Sequence, residues 1–275
     1  PGVSSRRVPL LANDEESATE SIGTQSSREL SRDEQGRQRP LLRRLADERA
    51  LLDHAKKQMD GTLGAWMAGR LDATTLRLPD LLPGGGAIAL ESPNLEALSY
   101  DKLRQFLAAS DLFATLGLRR GARVALCVQN GAHLAAALLA TMNLGCCCPL
   151  DPNSPEAELA RDFKLLRVEA VLVDSAAGAG AVAAKELGLA SALLVPDALS
   201  AGLFTTRPLS KKGAAPQASP AQRSDTVLVL STSGTTGRKK TVPYTLSTLA
   251  IGAGCIIRSW DLQPEDACLN MMPLI

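Results

Sequence analysis

Four short apolar runs constrain this chain most. "ARVALCV" (122–128), "EAVLVD" (169–174), "SALLVP" (191–196) and "TVLVLS" (226–231) are each too short and too β-branched for a core helix and too evenly apolar for a half-exposed strand. Such runs are strands buried on both faces. Between them lies text of helical character: "AHLAAALLATMNLG" ending at Gly145, "SPEAELARDFKLLR" and "AVAAKELG". Strands alternating with helices predict an α/β fold, a parallel or mixed sheet flanked by helices on both faces. "CCCPLDP" adds a short strand and turn. In the second of these helix segments, Ser154 is the expected N-cap and Pro155 the first helical residue.

The stretch from Val124 to Leu150 holds no Asp, Glu, Lys or Arg and is long enough to span a bilayer. "VQNGAH" interrupts it, so a strand, a turn and a buried helix describe it better than a membrane span. Upstream, "AIALES" and "ALSY" flank a Pro93-Asn94 turn and predict a hairpin. "SYDKLRQFLAASDLFATLG" predicts one amphipathic helix with Leu103, Phe106, Leu107 and Leu112 inward. Residues 1–38 are rich in Ser, Glu and Arg, lack apolar periodicity and are expected to be disordered. Residues 39–60 are expected to hold an amphipathic helix with Leu41, Leu45, Leu52, Ala55 and Met59 on one face, too short for a coiled coil. Residues 75–275 form the folded domain, crossed by a surface linker at 203–224 that carries Lys211 and Lys212.

Composition excludes several partners. The 275 residues carry a net charge of +1 and only 3% aromatics, so neither a basic face nor base-stacking platforms for nucleic acid are implied. The six cysteines make no CxxC pair and the only histidines are His54 and His133, so no metal site is expected. Cysteines in apolar text and the lack of a signal-peptide pattern suggest an intracellular, cytoplasmic setting.

The chemistry is concentrated in "STSGTTGRKK" (231–240), which leaves the last buried strand. Gly234 and Gly237 open backbone conformations that other residues resist and let main-chain N–H groups approach a ligand. Ser233, Thr235 and Thr236 offer hydroxyls, and Lys240 a positive charge. Together they suit phosphate oxygens; the plainer alternative is a polar hairpin turn. The spacing is not that of a P-loop, because Gly234 and Gly237 are three apart and Arg238 follows. "GAGAVA" (178–183) fits a dinucleotide fingerprint on paper, but its glycines stand four residues beyond Asp174 rather than at the strand end. His133 opens an apolar helix as a capping or packing residue. "GGG" (84–86) precedes a strand rather than a helix, so anion binding is not expected there.

The segment Thr232–Gly237 resembles, residue for residue, the phosphate-binding signature of the adenylate-forming superfamily, which includes acyl-CoA synthetases, nonribosomal peptide synthetase adenylation domains and luciferases. Lys240 takes the signature's lysine place, and Lys239 stands where the family usually has proline. The text from Leu98 to Leu159 looks like the family's run from its first hairpin to its Pro-Leu-Asp-Pro turn. "LNMMPLI" (269–275) looks like the strand before its substrate-pocket helix. The resemblance covers about residues 75–275, the first half of the family's large N-terminal domain.

It implies that a carboxylic acid attacks the α-phosphate of ATP, with Mg, giving an acyl-adenylate and pyrophosphate. The acyl group then passes to the thiol of coenzyme A or a carrier protein's phosphopantetheine. It assigns nucleotide binding to Thr232, Ser233, Gly234, Thr235, Thr236, Gly237 and Lys240. The family's adenine, ribose and late-lysine motifs have no counterpart in these residues, so no catalytic residue is assigned and the chain alone is expected not to catalyse adenylation. A carrier-protein-loading adenylation domain is the nearest variant. A nicotinamide-binding oxidoreductase and a non-catalytic remnant or interaction protein working through residues 1–60 are the readings from other classes.

Overall fold

The computed structural model describes residues 46–47, 49–59, 61–73, 76–210, 219–232 and 239–275, Thr62 by its backbone alone. The chain divides into two units, Pro1–Ala50 and Leu51–Ile275. Residues 46, 47, 49 and 50 of the first are helical. The expectations for residues 1–38, for Leu41 and Leu45, and for Lys211 and Lys212 lie outside the described residues.

The second unit is built on a seven-stranded sheet. Its strands are β3 (Arg123–Cys127), β4 (Cys146–Pro149), β5 (Ala170–Val173), β6 (Ala190–Pro196), β7 (Phe204–Pro208), β8 (Thr226–Thr232) and β9 (Lys240–Thr245), in spatial order β7-β6-β5-β3-β4-β8-β9. β6, β5, β3, β4 and β8 run parallel, and β7 and β9 close the two edges antiparallel. The expected hairpin is the separate pair β1 (Ile88–Leu90) and β2 (Leu98–Ser99). Its turn contains Asn94 at φ 65°, a conformation that asparagine tolerates better than most residues.

The continuous apolar runs follow from burial on both faces. Val124, Leu126, Cys147, Ala170 and Leu172 enter one core with the helices α2 (Tyr100–Ala109), α3 (Leu112–Leu116) and α4 (Ala132–Leu144). Their neighbours Ala125, Cys127, Cys146, Cys148, Val171 and Val173 enter another with α5 (Glu156–Leu166) and α6 (Ala179–Glu186). Successive side chains alternate between faces, so each strand feeds both cores. The cysteines of β4 are thus small apolar fillers. A third core joins Leu52, Ala55 and the helix α1 (Gly61–Leu71) to Leu246, Ala250 and Ile251 of α7 (Leu246–Ser259). The expected face of Leu52, Ala55 and Met59 is therefore a packing face. No helix among the described residues is long and apolar enough to cross a membrane.

Four local expectations need correction. The single helix expected over 99–117 is two, α2 and α3, broken at Ser110 and Asp111. Both residues disfavour helix interiors, and Asp111 Oδ1 instead accepts the Thr206 hydroxyl of β7 at 2.9 Å. α5 is capped by Pro155, not Ser154: no side chain caps it, and the Pro155 carbonyl accepts the first bonds, from Glu158 and Leu159. The linker expected over 203–224 opens as strand β7, whose Thr205, Thr206 and Arg207 pair with β6; the proline at its end suits an edge strand. "LNMMPLI" forms no strand. Leu269, Met271 and Met272 are exposed, and Leu274 N–H donates to Asn130 Oδ1 at 3.0 Å instead of entering a ladder.

Candidate functional site

All five parallel strands deliver their carboxyl ends to one edge of the sheet, and polar residues lie there, at the strand end or within two positions of it. Gln129 and Asn130 come after β3, Asp151 and Asn153 after β4, and Asp174 after β5, while Thr232 ends β8. In open parallel sheets ligands bind along this edge. Gln129 N–H donates to Asp174 Oδ2 at 2.7 Å and its side-chain amide donates to Asn153 Oδ1 at 3.0 Å; Asn153 N–H donates to Asp151 Oδ1 at 2.9 Å. The rim is thus bonded across three strands before any ligand arrives.

The loop that carries the signature joins β8 to β9. Ser233, Gly234, Thr235, Thr236 and Gly237 lie outside the described residues; Thr232 and Lys240, at its two ends, lie within them. The antiparallel register sets Thr232 directly opposite Lys240, with Ser231 opposite Thr241 and Val229 opposite Pro243. Paired residues share a face. Val229 packs into the core beneath α5, so Thr241 and Pro243 face that helix, whereas Thr232 and Lys240 face away from it. Both are exposed, and Lys240 forms no ion pair among the described residues.

Lys239 takes the opposite side. Its ammonium donates to Asp162 Oδ2 at 2.6 Å and to Glu158 Oε1 at 2.8 Å. The two carboxylates are four residues apart on α5 and so share its face. The Asp162 side chain is only 7% exposed, between the core residues Leu159 and Phe163. Burial pulls the Lys239 ammonium down, but its bonds to Asp162 and Glu158 outweigh burial and hold it above the ordinary lysine range; the bond and charge of Lys239 hold Glu158 below the usual carboxylate range. The lysine found at the signature's proline place is therefore tied down at the loop exit.

Sequence reasoning did not find Glu158, Asp162 or the rim. The available signals were an aspartate at an apolar position of α5, four residues after a glutamate, and polar residues within two positions of the ends of β3, β4 and β5.

The other motifs resolve structurally. A Cβ on Gly180 would meet Cys127 Cβ at 2.9 Å, so this glycine of "GAGAVA" lets α6 lie against β3. In "GGG", Gly85 N–H donates to the chain's own Asp101 Oδ1 at 2.7 Å. His133 sits in the first turn of α4, its Nε2 buried without a hydrogen-bond partner among the described residues. No group of three or more His, Cys, Asp or Glu among the described residues is placed to hold a metal ion. A cavity of about 650 Å³ lies between α1, residues 83–87 and the segment after α7; Leu63, Trp66, Tyr100, Trp260 and Leu262 line it, and it includes no residue of the rim or the loop ends.

Comparison with known proteins gives the family and the fold. Residues 84–275 match the family described as AMP-binding enzyme. An acyl-CoA synthetase, FUM10, of Gibberella moniliformis is 30% identical over 177 residues, covering 58% of this chain and 32% of the relative. Among solved structures, apo MatB from Rhodopseudomonas palustris shares the fold at a TM-score of 0.56 and 24% identity, over 74% of this chain and 39% of that one. The o-succinylbenzoate CoA synthetase MenE from Bacillus subtilis, solved with the acyl-adenylate intermediate OSB-AMP, shares it at 0.53 and 20% identity, over 76% of this chain and 49% of that one. The chain spans about a third of the curated relative and less than half of either solved one.

Proposed function

Because this chain belongs to the AMP-binding enzyme family, we propose that it supplies the phosphate-binding part of an acid–thiol ligase of acyl-CoA synthetase type. The reaction has two steps. An oxygen of a small-molecule carboxylate attacks the α-phosphorus of ATP, the bond to the β-phosphate breaks, and pyrophosphate leaves. A thiol then attacks the acyl carbon of the adenylate, loses its proton, and AMP departs with its electron pair.

The observation that carries this reading is the face shared by Thr232 and Lys240 at the two ends of the signature loop. A hydroxyl, and an ammonium with no ion pair among the described residues, lie on one face at the carboxyl end of a parallel strand and present donors where negative charge grows on leaving pyrophosphate. Such transfers depend on positioning and charge stabilisation rather than on covalent help from the protein. In this reading Ser233, Gly234, Thr235, Thr236 and Gly237 complete the donor set. Magnesium enters with ATP as the companion of its phosphates. The acyl acceptor is coenzyme A, as the curated relative's description suggests; a carrier-protein phosphopantetheine is the variant with the same thiol chemistry.

Displacement of a fluorescent ATP analogue from the 275-residue chain tests the reading. Pyrophosphate with Mg is expected to compete and NADH is not. Competition by NADH alone would return the oxidoreductase reading. The chain by itself is expected to bind nucleotide without ATP–pyrophosphate exchange, and robust exchange would contradict that part of the proposal.

A further inference from the structure

Two adjacent lysines leave the loop, and the fold treats them differently. Lys239 turns to α5 and meets two carboxylates, while Lys240 stands on the other face opposite Thr232. Strand geometry makes these two facts one. Neighbouring residues point to opposite sides, and a slip of one residue exchanges them. If β9 slipped by one, Lys240 would face α5 and take the carboxylates, and its charge would leave the Thr232 face. A main-chain ladder alone does not forbid this at an edge strand, whose outer side has no partner strand among the described residues.

The Lys239 ion pair opposes it, because both of its bonds must break before Lys240 can reach the carboxylates. Asp162 is nearly buried and cannot turn to water, so the cation that meets it must come from a set point on β9. Glu158 adds a second acceptor on the same helix face and leaves the ammonium held from two sides. α5 is itself rooted in the core by Leu159, Phe163 and Leu166, so the anchor is rigid.

We propose that Lys239 is a positioning residue: its ion pair with Asp162 and Glu158 holds the residue before β9 on the α5 side, and so presents Lys240, the first residue of the strand, beside Thr232 to the phosphates of a nucleotide. The proposal rests on the reading of the loop as a nucleotide-phosphate site. Lys239 touches no phosphate. It acts through Lys240.

The test is calorimetric titration of Mg·ATP into the 275-residue chain and five variants. Lys239→Met removes the anchor and is expected to weaken binding about tenfold, the scale of one hydrogen bond to a charged group. Lys239→Arg keeps a cation at the same place and is expected to bind as the unsubstituted chain does. Lys239→Met with Asp162→Asn removes the anchor without stranding a buried charge; it is expected to bind as weakly as Lys239→Met while folding normally. Lys240→Ala in the Lys239→Met background is expected to cost less than Lys240→Ala alone, because the lysine it removes is already misplaced. A merely structural role for Lys239 produces neither the arginine rescue nor this shortfall. Full affinity in the Lys239→Met/Asp162→Asn chain, or losses at 239 and 240 that simply add, would overturn the proposal. Failure of the unsubstituted chain to bind Mg·ATP would instead strike the reading of the loop itself, and the proposal with it.

Discussion

Lys239 Nζ lies 2.6 Å from Asp162 Oδ2, an ion pair between residues 77 apart in sequence that joins the exit of the β8–β9 connection to the middle of α5. It crosses from an edge strand to a helix of the neighbouring layer. Lys239, at the loop's exit, is thereby held by the same core that holds the parallel strands.

This anchor has a defined pH window. Glu158 is held below its ordinary value of 4.5, so its contribution is complete above that value and fades as pH falls through the lowered one. Lys239 is raised above its ordinary 10.5, so its contribution is complete below that value and fades as pH rises through the raised one. The difference in thermal midpoint between the unsubstituted chain and Lys239→Met is expected to stay constant between these limits and to narrow in acid below 4.5. A difference that changes steeply around neutral pH would contradict the assignment.

Phe163 roots the anchor helix. It is 1% exposed and packs with Leu159, Leu166 and the Cys148 face of β4. Phe163→Ala is expected to cost about 3–5 kcal/mol, the usual range for a buried aromatic cut to alanine. Urea denaturation followed by circular dichroism reads this directly.

Gly180 separates a packing role from a dinucleotide role. With Cys127 Cβ 2.9 Å from the position a Cβ would take, Gly180→Val is expected to destabilise by about 1–3 kcal/mol through overpacking. The expected result is a lower denaturation midpoint and no NADH binding before or after the change. NADH binding that disappears in a fully stable variant would support the fingerprint instead.

The thiols report the cores. Cys127, Cys146, Cys147 and Cys148 are buried, whereas Cys255 and Cys268 are exposed. Burial pushes the Cys127 thiol up to about 12 and raises Cys147 well above the ordinary range, which suppresses the reactive thiolates. Ellman's reagent is expected to titrate Cys255 and Cys268 quickly in the native chain and the other four only on unfolding. Fast reaction of any β4 cysteine would show that this strand is not covered on both faces.

Much of this was legible because burial on two faces writes an unmistakable pattern. Residues 124–128 and 170–173, the centres of "ARVALCV" and "EAVLVD", have no polar position, and the structure divides their residues between two helix layers. The glycine at 145 and the turn at Asn94 were equally plain. What stayed hidden depends on partners remote in sequence. β7 reads as loop because its five residues have only β6 beside them, at a sheet edge. The break at Asp111 depends on a threonine 95 residues away. The proline place of the loop signature could be compared residue by residue, but that Lys239 would find Asp162 could not be seen until α5 was folded against β4. The nucleotide-binding assignment to Thr232 and Lys240 came from the signature; their common face came from the register of β8 and β9.

The most direct measurement is calorimetric titration of Mg·ATP into the 275-residue chain and its Lys240→Ala variant. The account expects saturable binding by the unsubstituted chain and a loss of about tenfold or more in the variant, as one charge-assisted contact to phosphate is removed. Equal binding by both chains would contradict the placement of nucleotide phosphates at the Thr232–Lys240 face.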